Sequence, residues 1–340
     1  MSLIEHALPA AERIPWPDTL TRAGVRFLVS KTSRKLARDP QTVGAFAQQM
    51  AEFPIAAHTA DANDQHYEVP AAFFDLMLGP RRKYSCCYYE TSNSTLAEAE
   101  ECALRKTAIN ADLRDGIHIL ELGCGWGSLS LWMAEQYPSS RITAVSNSNS
   151  QRAYIMRQAE ARRLANLRVI TCDMNSFQAD KTFDRVVSIE MFEHMSNWRE
   201  LLARVRTWIK PGGHLFLHVF THRAAPYRFD HRDKSDWIAQ HFFTGGIMPC
   251  HDLAQNFPDL FAVDAEWRWN GTHYARTARD WLSNMDRNEQ ACDQLLKDVY
   301  GKDAKLWHRR WRLFLLATEG LFGYRDGSEW GVSHYRMSPR

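Results

Sequence analysis

The stretch IHILELGCGWGSLSLWMAEQY, residues 117–137, decides how the rest of the chain is read. A short apolar run, IHILEL, closes on glycines at 123, 125 and 127, and SLSLWMAEQY continues with helical character. A buried strand that turns through glycines into a helix is the opening of a βαβ unit. Glycine lets the backbone turn sharply and come close to a ligand. The same pattern then repeats. RITAVS predicts a second strand and SQRAYIMRQAEARRL a helix, LRVITC a third strand, FDRVVSIEM a fourth, WRELLARVRTWI a helix and GGHLFLHVF a fifth strand. Alternation of this kind implies an α/β fold with a parallel, doubly wound sheet. In such sheets the strand C-terminal ends and any ligand line up along one crevice.

Outward from this core, residues 1–65 read as a helical cap. Asp18 is placed to cap a helix through GVRFLVSKTSRKLAR, and Pro40 to begin the next, QTVGAFAQQMAEF. The basic run Lys31, Arg34, Lys35 and Arg38 reads first as a solvated helix face and second as a surface for anionic lipid. Residues 66–222 hold the ligand-binding core. Residues 223–340, with most of the tryptophans, are expected to form a helical lid over a pocket and to complete the sheet.

The chain has 340 residues and a formal net charge of +2, which leaves no electrostatic footprint for nucleic acid. No run approaches the roughly 20 apolar residues of a membrane helix, and the N-terminus lacks a secretory layout. Seven cysteines without a CxxC pair favour neither a disulfide framework nor a metal site, so a reducing, cytoplasmic compartment without metal is expected.

The glycine turn alone does not select a ligand. A nicotinamide dinucleotide site would offer an acid about 20 residues on. Here Ser146, Asn147, Ser148, Asn149, Ser150 and Gln151 stand instead, which favours S-adenosylmethionine over a dinucleotide. A tight packing turn without ligand is the bland alternative.

The motifs HYEVPAAFF, KYSCCYYE, TLAEAEE, LELGCGWGSLSL, VSNSNSQ, SIEMFEHM and HYARTARDWL occur in this order over residues 65–338. The chain thereby resembles the class I, cyclopropane fatty acid synthase-like S-adenosylmethionine-dependent methyltransferases. HFFTGGIMP, YGKD and FGYRDGSEWGVSH are similar to the coclaurine N-methyltransferase branch. The resemblance implies a seven-stranded, mostly parallel Rossmann-like sheet, a homodimer, and S-adenosylhomocysteine as the cofactor product. It places Tyr84 and Ser85 at the methionine end over Gly123 and Gly125, Ser146, Asn147 and Gln151 at the ribose, and Asp173 and Met174 at the adenine. By themselves, Asp173 reads equally as a helix cap and Met174 as core.

After the fourth strand come Glu190, Glu193 and His194. A helical turn over 190–194 would set all three on one face, and buried ionisable groups need a pairing or a use. An amine must shed a proton to expose its lone pair, so Glu193 and His194 are the candidate acid–base pair. Glu190 is the carboxylate that attracts a small amine, aromatic or alkaloid-like in the branch resembled. A capping box in a solvated turn is the structural alternative. The lipid branch, by resemblance, holds bicarbonate through positions matching Cys86, Glu193, His218 and Tyr274, and has glycine where Glu190 stands. A lipid enzyme acting on unsaturated acyl chains at a membrane surface therefore remains the second reading, and a cofactor-binding protein without turnover the third. Phe322 and Trp330 match pocket positions of the alkaloid branch, although as bare sequence they read as core, as do Cys86 and His218.

Overall fold

The computed structural model describes residues 12–57, 69–230, 232–233 and 236–340. The motif residues His66, Tyr67 and Glu68 and the first eleven residues of the cap lie outside this set. Among the described residues, helices α1 (Asp18–Arg38), α2 (Val43–Gln49), α3 (Ala71–Met77) and α4 (Leu96–Asn110) precede β1 (His118–Leu122). Then follow α5 (Ser128–Gln136), β2 (Arg141–Ser146), α6 (Asn149–Ala161), β3 (Leu167–Thr171), β4 (Phe183–Ile189), α7 (Trp198–Thr207) and β5 (Ile209–His222). A small ribbon of β6 (Tyr227–Arg228) and β7 (Ile247–Met248) encloses α8 (Trp237–His241). The chain ends with β8 (Phe261–Trp269), α9 (Thr272–Arg287), α10 (Glu289–Tyr300), α11 (Ala304–Phe322) and β9 (Trp330–Pro339).

The sheet has seven strands in the order β3-β2-β1-β4-β5-β9-β8. β1 to β5 pair in parallel, while β9 runs antiparallel to both β5 and β8. The expected seven-stranded, mostly parallel α/β sheet is thus present. Its order reverses at β1/β4, the place where open α/β sheets open a crevice at their strand ends. No helix is long and apolar enough to cross a membrane among the described residues.

Two helix starts differ from expectation. Asp18 is the first helical residue, after Pro17, and its carboxylate accepts from Arg22 and Arg312 instead of capping. A proline with preset φ opens the helix, and distant arginines claim the acid. The second helix starts at Val43, with the Thr42 hydroxyl accepting from Ala45 N–H, and not at Pro40.

The loop that faces β4 is held from α4. That helix opens on a full capping box of Thr95 and Glu98. Its Glu100 is fully buried, and its carboxylate accepts the backbone N–H groups of Arg81 at 2.8 Å and Lys83 at 3.1 Å, one on each oxygen. Burial pushes Glu100 up to about 7 despite these bonds. A carboxyl whose folded pKa is raised stabilises the fold most when protonated, so its contribution declines as pH rises from about 4.5 to about 7. Glu100→Gln turns one acceptor into a donor that faces an N–H group. Urea denaturation should show it less stable by about 1–3 kcal/mol; an unchanged midpoint would mean the loop does not depend on this carboxyl.

Candidate active site

One cavity of about 1150 Å³ opens at the carboxyl ends of β1, β2 and β4. All nine residues expected at a cofactor line it: Tyr84, Ser85, Gly123, Gly125, Ser146, Asn147, Gln151, Asp173 and Met174. The glycine turn explains its shape. Gly123 has φ +76°, and a Cβ there would stand 2.4 Å from the Met191 side chain. Gly125 has φ +52°, and its missing side chain faces open space. At the end of β2, Ser146 Oγ donates to Gln151 Oε1 at 2.7 Å and accepts from Ser148 N–H, which braces the serine-rich turn. Asp173 accepts from Asn175 N–H at 2.7 Å, a turn bond rather than a helix cap.

Sequence reasoning missed two groups behind the glycines. Glu121, within the quoted strand, lines the cavity and accepts from Ser130, and burial lifts it to about 8. The Ser128 hydroxyl, also in the wall, is buried without a hydrogen bond to any described residue. A polar, glycine-floored cleft with an unsatisfied buried donor fits a zwitterionic ligand carrying amine and carboxylate groups.

At the far end of the cavity the acidic cluster takes a shape that its sequence does not predict. The helical turn is a short 3-10 segment, Phe192–His194, anchored where Trp198 Nε1 donates to Phe192 O at 2.8 Å. Glu190 lies outside it, in left-handed backbone at φ +48°. Such backbone suits glycine and costs a residue with a Cβ on the order of 1 kcal/mol or more. The carboxyl group that results borders the cavity and has three polar partners. Cys86 N–H at 2.9 Å and His218 Nε2 at 3.1 Å reach Oε1, and Tyr274 O–H reaches Oε2 at 2.6 Å. Burial pushes Glu190 upward, while Lys83, Tyr274 and the Cys86 N–H pull it back.

Glu193 does not share this position. It is fully buried and does not border the cavity; Oε1 accepts from Phe220 N–H at 2.7 Å and Oε2 has no partner among the described residues. Burial, and then the neighbouring Glu190 charge, raise it well above the usual carboxylate range. Of the two coupled acids, Glu193 is the one that keeps a proton, because it has the fewer donors. Cys86, His218 and Trp330, expected at the pocket, likewise stand behind its wall. Cys86 offers only its backbone to Glu190, His218 is sealed under Trp269, and Trp330 packs against His222.

Tyr274, Phe322 and His194 do border the cavity. Tyr274 and Phe322 stack at 4.3 Å, and the His194 ring meets Phe243 at 4.3 Å. Phe220, Phe229, Phe243 and Trp281 complete an aromatic wall that sequence reasoning did not single out. All four residues of the basic run are exposed, and Lys31 and Lys35 also border the cavity.

Comparison with known proteins follows the same outline. The family model of mycolic acid cyclopropane synthetase matches residues 56–328. The chain belongs to this family. It is 34% identical to (S)-coclaurine N-methyltransferase of Thalictrum flavum subsp. glaucum, over 84% of this chain and 80% of that one. It is 28% identical to cyclopropane-fatty-acyl-phospholipid synthase of Escherichia coli K12, over 79% of this chain and 66% of that one. The crystal structure of coclaurine N-methyltransferase bound to N-methylheliamine and SAH superposes with a TM-score of 0.93 at 31% identity, covering 99% of this chain and 100% of that chain. The family fold recurs in the Mycobacterium tuberculosis cyclopropane synthase MmaA2, at a TM-score of 0.68 and 22% identity. The resemblance read from the motifs is therefore a true kinship.

Gly125→Val tests the cradle. A branched side chain would enter the cleft where nothing now stands within 4 Å of the Cβ position. Calorimetry should show S-adenosylhomocysteine affinity reduced more than about 10-fold, with a cooperative thermal transition retained. Unchanged affinity would place the ligand elsewhere.

Proposed function

We propose that this protein transfers a methyl group from S-adenosylmethionine to the nitrogen of a small, aromatic or alkaloid-like amine. The observation that carries the reading is the Glu190 carboxylate, which is fixed by three donors and faces an aromatic-walled cavity. Bound S-adenosylmethionine supplies a methyl group made electrophilic by its sulfonium. The protein supplies the rest. Tyr84, Ser85, Gly123, Gly125, Ser146, Asn147, Gln151, Asp173 and Met174 would hold the cofactor in the glycine-floored half of the cavity.

In the other half, Glu190 draws the ammonium form of the amine out of water, and Tyr274 and Phe322 face its ring system. Aromatic faces also favour a cation. The amine must then lose its proton, and His194 is the group beside the cavity positioned to accept it. Glu193 acts from behind, tying the 192–194 turn to the end of β5 through Phe220 N–H. Its role in proton transfer is thus indirect, unlike the paired role that the sequence suggests. The reading of 1–65 as cap and 223–340 as lid is supported, among the described residues, by α1 and α11, which both contribute to the cavity wall.

The lipid reading has weaker support. Of the positions Cys86, Glu193, His218 and Tyr274 that the resemblance assigns to bicarbonate, the Cys86 backbone N–H, His218 and Tyr274 are already engaged by Glu190, and Glu193 lies buried behind the wall. A second anion would meet a filled set of donors and a repelling charge. Seven unpaired cysteines support a reducing compartment such as the cytoplasm. The homodimer follows only from the family resemblance.

Incubation with labelled S-adenosylmethionine, a panel of aromatic amines and an unsaturated phospholipid tests the reading. Label should enter an amine; label in phospholipid and in no amine would overturn it. Glu190→Gln should lower kcat/KM for cationic amines by roughly 10- to 150-fold, the worth of one charged hydrogen bond, with S-adenosylhomocysteine affinity kept. Equal activity would make Glu190 structural. Amine methylation should also rise with pH and level off between about pH 6 and 9, because the acceptor or its base must be unprotonated. A flat profile, where chemistry limits the rate, would count against a titrating base.

A further inference from the structure

Behind Glu190 runs a row of buried polar side chains that methyl transfer itself does not use. His218 on β5 and His334 on β9 are direct cross-strand partners, and both are fully buried. Nε2 of His334 lies 2.8 Å from Nδ1 of His218. Nδ1 of His334 lies 2.9 Å from the Nδ2 of Asn110, the last residue of α4. At the other end, His218 Nε2 meets Glu190 Oε1 at 3.1 Å. Trp269 packs on both rings, at 5.2 Å and 4.3 Å, and Phe216 meets His334 edge-on, so the row is dry.

A neutral imidazole has one donor and one acceptor nitrogen, so the role of each group fixes that of the next. An amide nitrogen only donates. With Asn110 Nδ2 donating, His334 Nδ1 accepts, His334 Nε2–H donates to His218 Nδ1, and His218 Nε2–H points at Glu190. Turning the amide over reverses every role and leaves a lone pair facing Glu190, which would then have to carry a proton.

The surroundings choose the first arrangement. Oε1 of Glu190 already accepts from the Cys86 backbone N–H, which cannot reverse. The titratable groups facing Glu190 are Lys83, Cys86, Cys87, Glu193, His218 and Tyr274. Among them the Lys83 ammonium favours a charged carboxylate, and Glu193 relieves repulsion by holding its own proton. Burial holds both histidines well below their ordinary range, hence neutral.

We propose that Asn110 and His334 are positioning residues of this enzyme: the orientation of one amide, relayed through two histidine tautomers, holds Glu190 as an ionised carboxylate that only accepts. The inference rests on the reading of Glu190 as the partner of the substrate ammonium, and it adds two residues that never touch the substrate.

Nitrogen NMR of the full chain labelled at histidine tests the relay without any substrate. His218 and His334 should both be neutral with the proton on Nε2 between about pH 6 and 8. A proton on Nδ1 of either ring, or a charged ring, would overturn the proposal. Two variants then give the functional arm. His334→Leu removes the donor to His218, so the acid limb of kcat/KM for an amine should move up by about one pH unit and kcat/KM near pH 7 should fall about 10-fold. His334→Gln, whose amide can donate again, should restore most of both. Unmoved limbs in the leucine variant, with S-adenosylhomocysteine binding intact, would reject the relay, as would a glutamine variant no better than leucine. If no amine is methylated by the parent, the methyl-transfer reading fails, while the tautomer measurement still decides the relay.

Discussion

A carboxylate taken out of water must find hydrogen-bond donors or give up its charge, and the arrangement around the cavity follows from that requirement at Glu190. Three donors from three elements converge on it: the backbone of the loop before α4, a histidine of β5 and a tyrosine of α9. Each is itself held. Glu100 fixes the loop, the register of β5 with β9 fixes the histidine, and Phe322 stacks on the tyrosine. The left-handed backbone at Glu190 is the local cost of aiming this side chain into the cavity. Two acids three residues apart cannot both be charged at such burial. The protein separates them by unequal supply of donors: Glu190 receives three, while one oxygen of Glu193 receives none among the described residues.

The cofactor half works on a different principle. There the backbone recedes, through glycines at positive φ, and side chains brace it from behind. One cavity thus joins a permissive, polar end to a charged, aromatic one. That division suits a reaction whose cofactor is common to a family and whose acceptor varies among its members.

Much of this was legible in the sequence because it is written locally. Five strands and the glycine turn show in the alternation of apolar runs and helices, and every expected cofactor residue lies at or just after the end of one of those strands, on the facing loop or, for Gln151, in the first turn of α6. The last two strands were not located, although a seven-stranded sheet was expected. β8 alternates in burial and carries Asp264, Glu266 and Arg268, and β9 follows a long helix, so neither resembles the buried parallel strands. Side chains brought together from afar were harder still. His334 reaches His218 across 116 residues, a contact that no spacing in the sequence suggests. The expected helical face of Glu190, Glu193 and His194 failed for the opposite reason. One residue in left-handed backbone turned Glu190 outward, and local spacing does not reveal φ. Cys86 and His218, read from the resemblance as bicarbonate partners in the lipid branch, instead meet Glu190 from behind the cavity wall, an association that the sequence did not suggest.

On the proposed reading, Glu190 stands ionised in the cavity wall, ready for a cation. Infrared difference spectroscopy between the parent protein and Glu190→Gln measures this most directly. At neutral pH the difference should contain an ionised carboxylate band that shifts when an amine acceptor binds. A protonated carboxyl band in its place, indifferent to amine, would contradict the account.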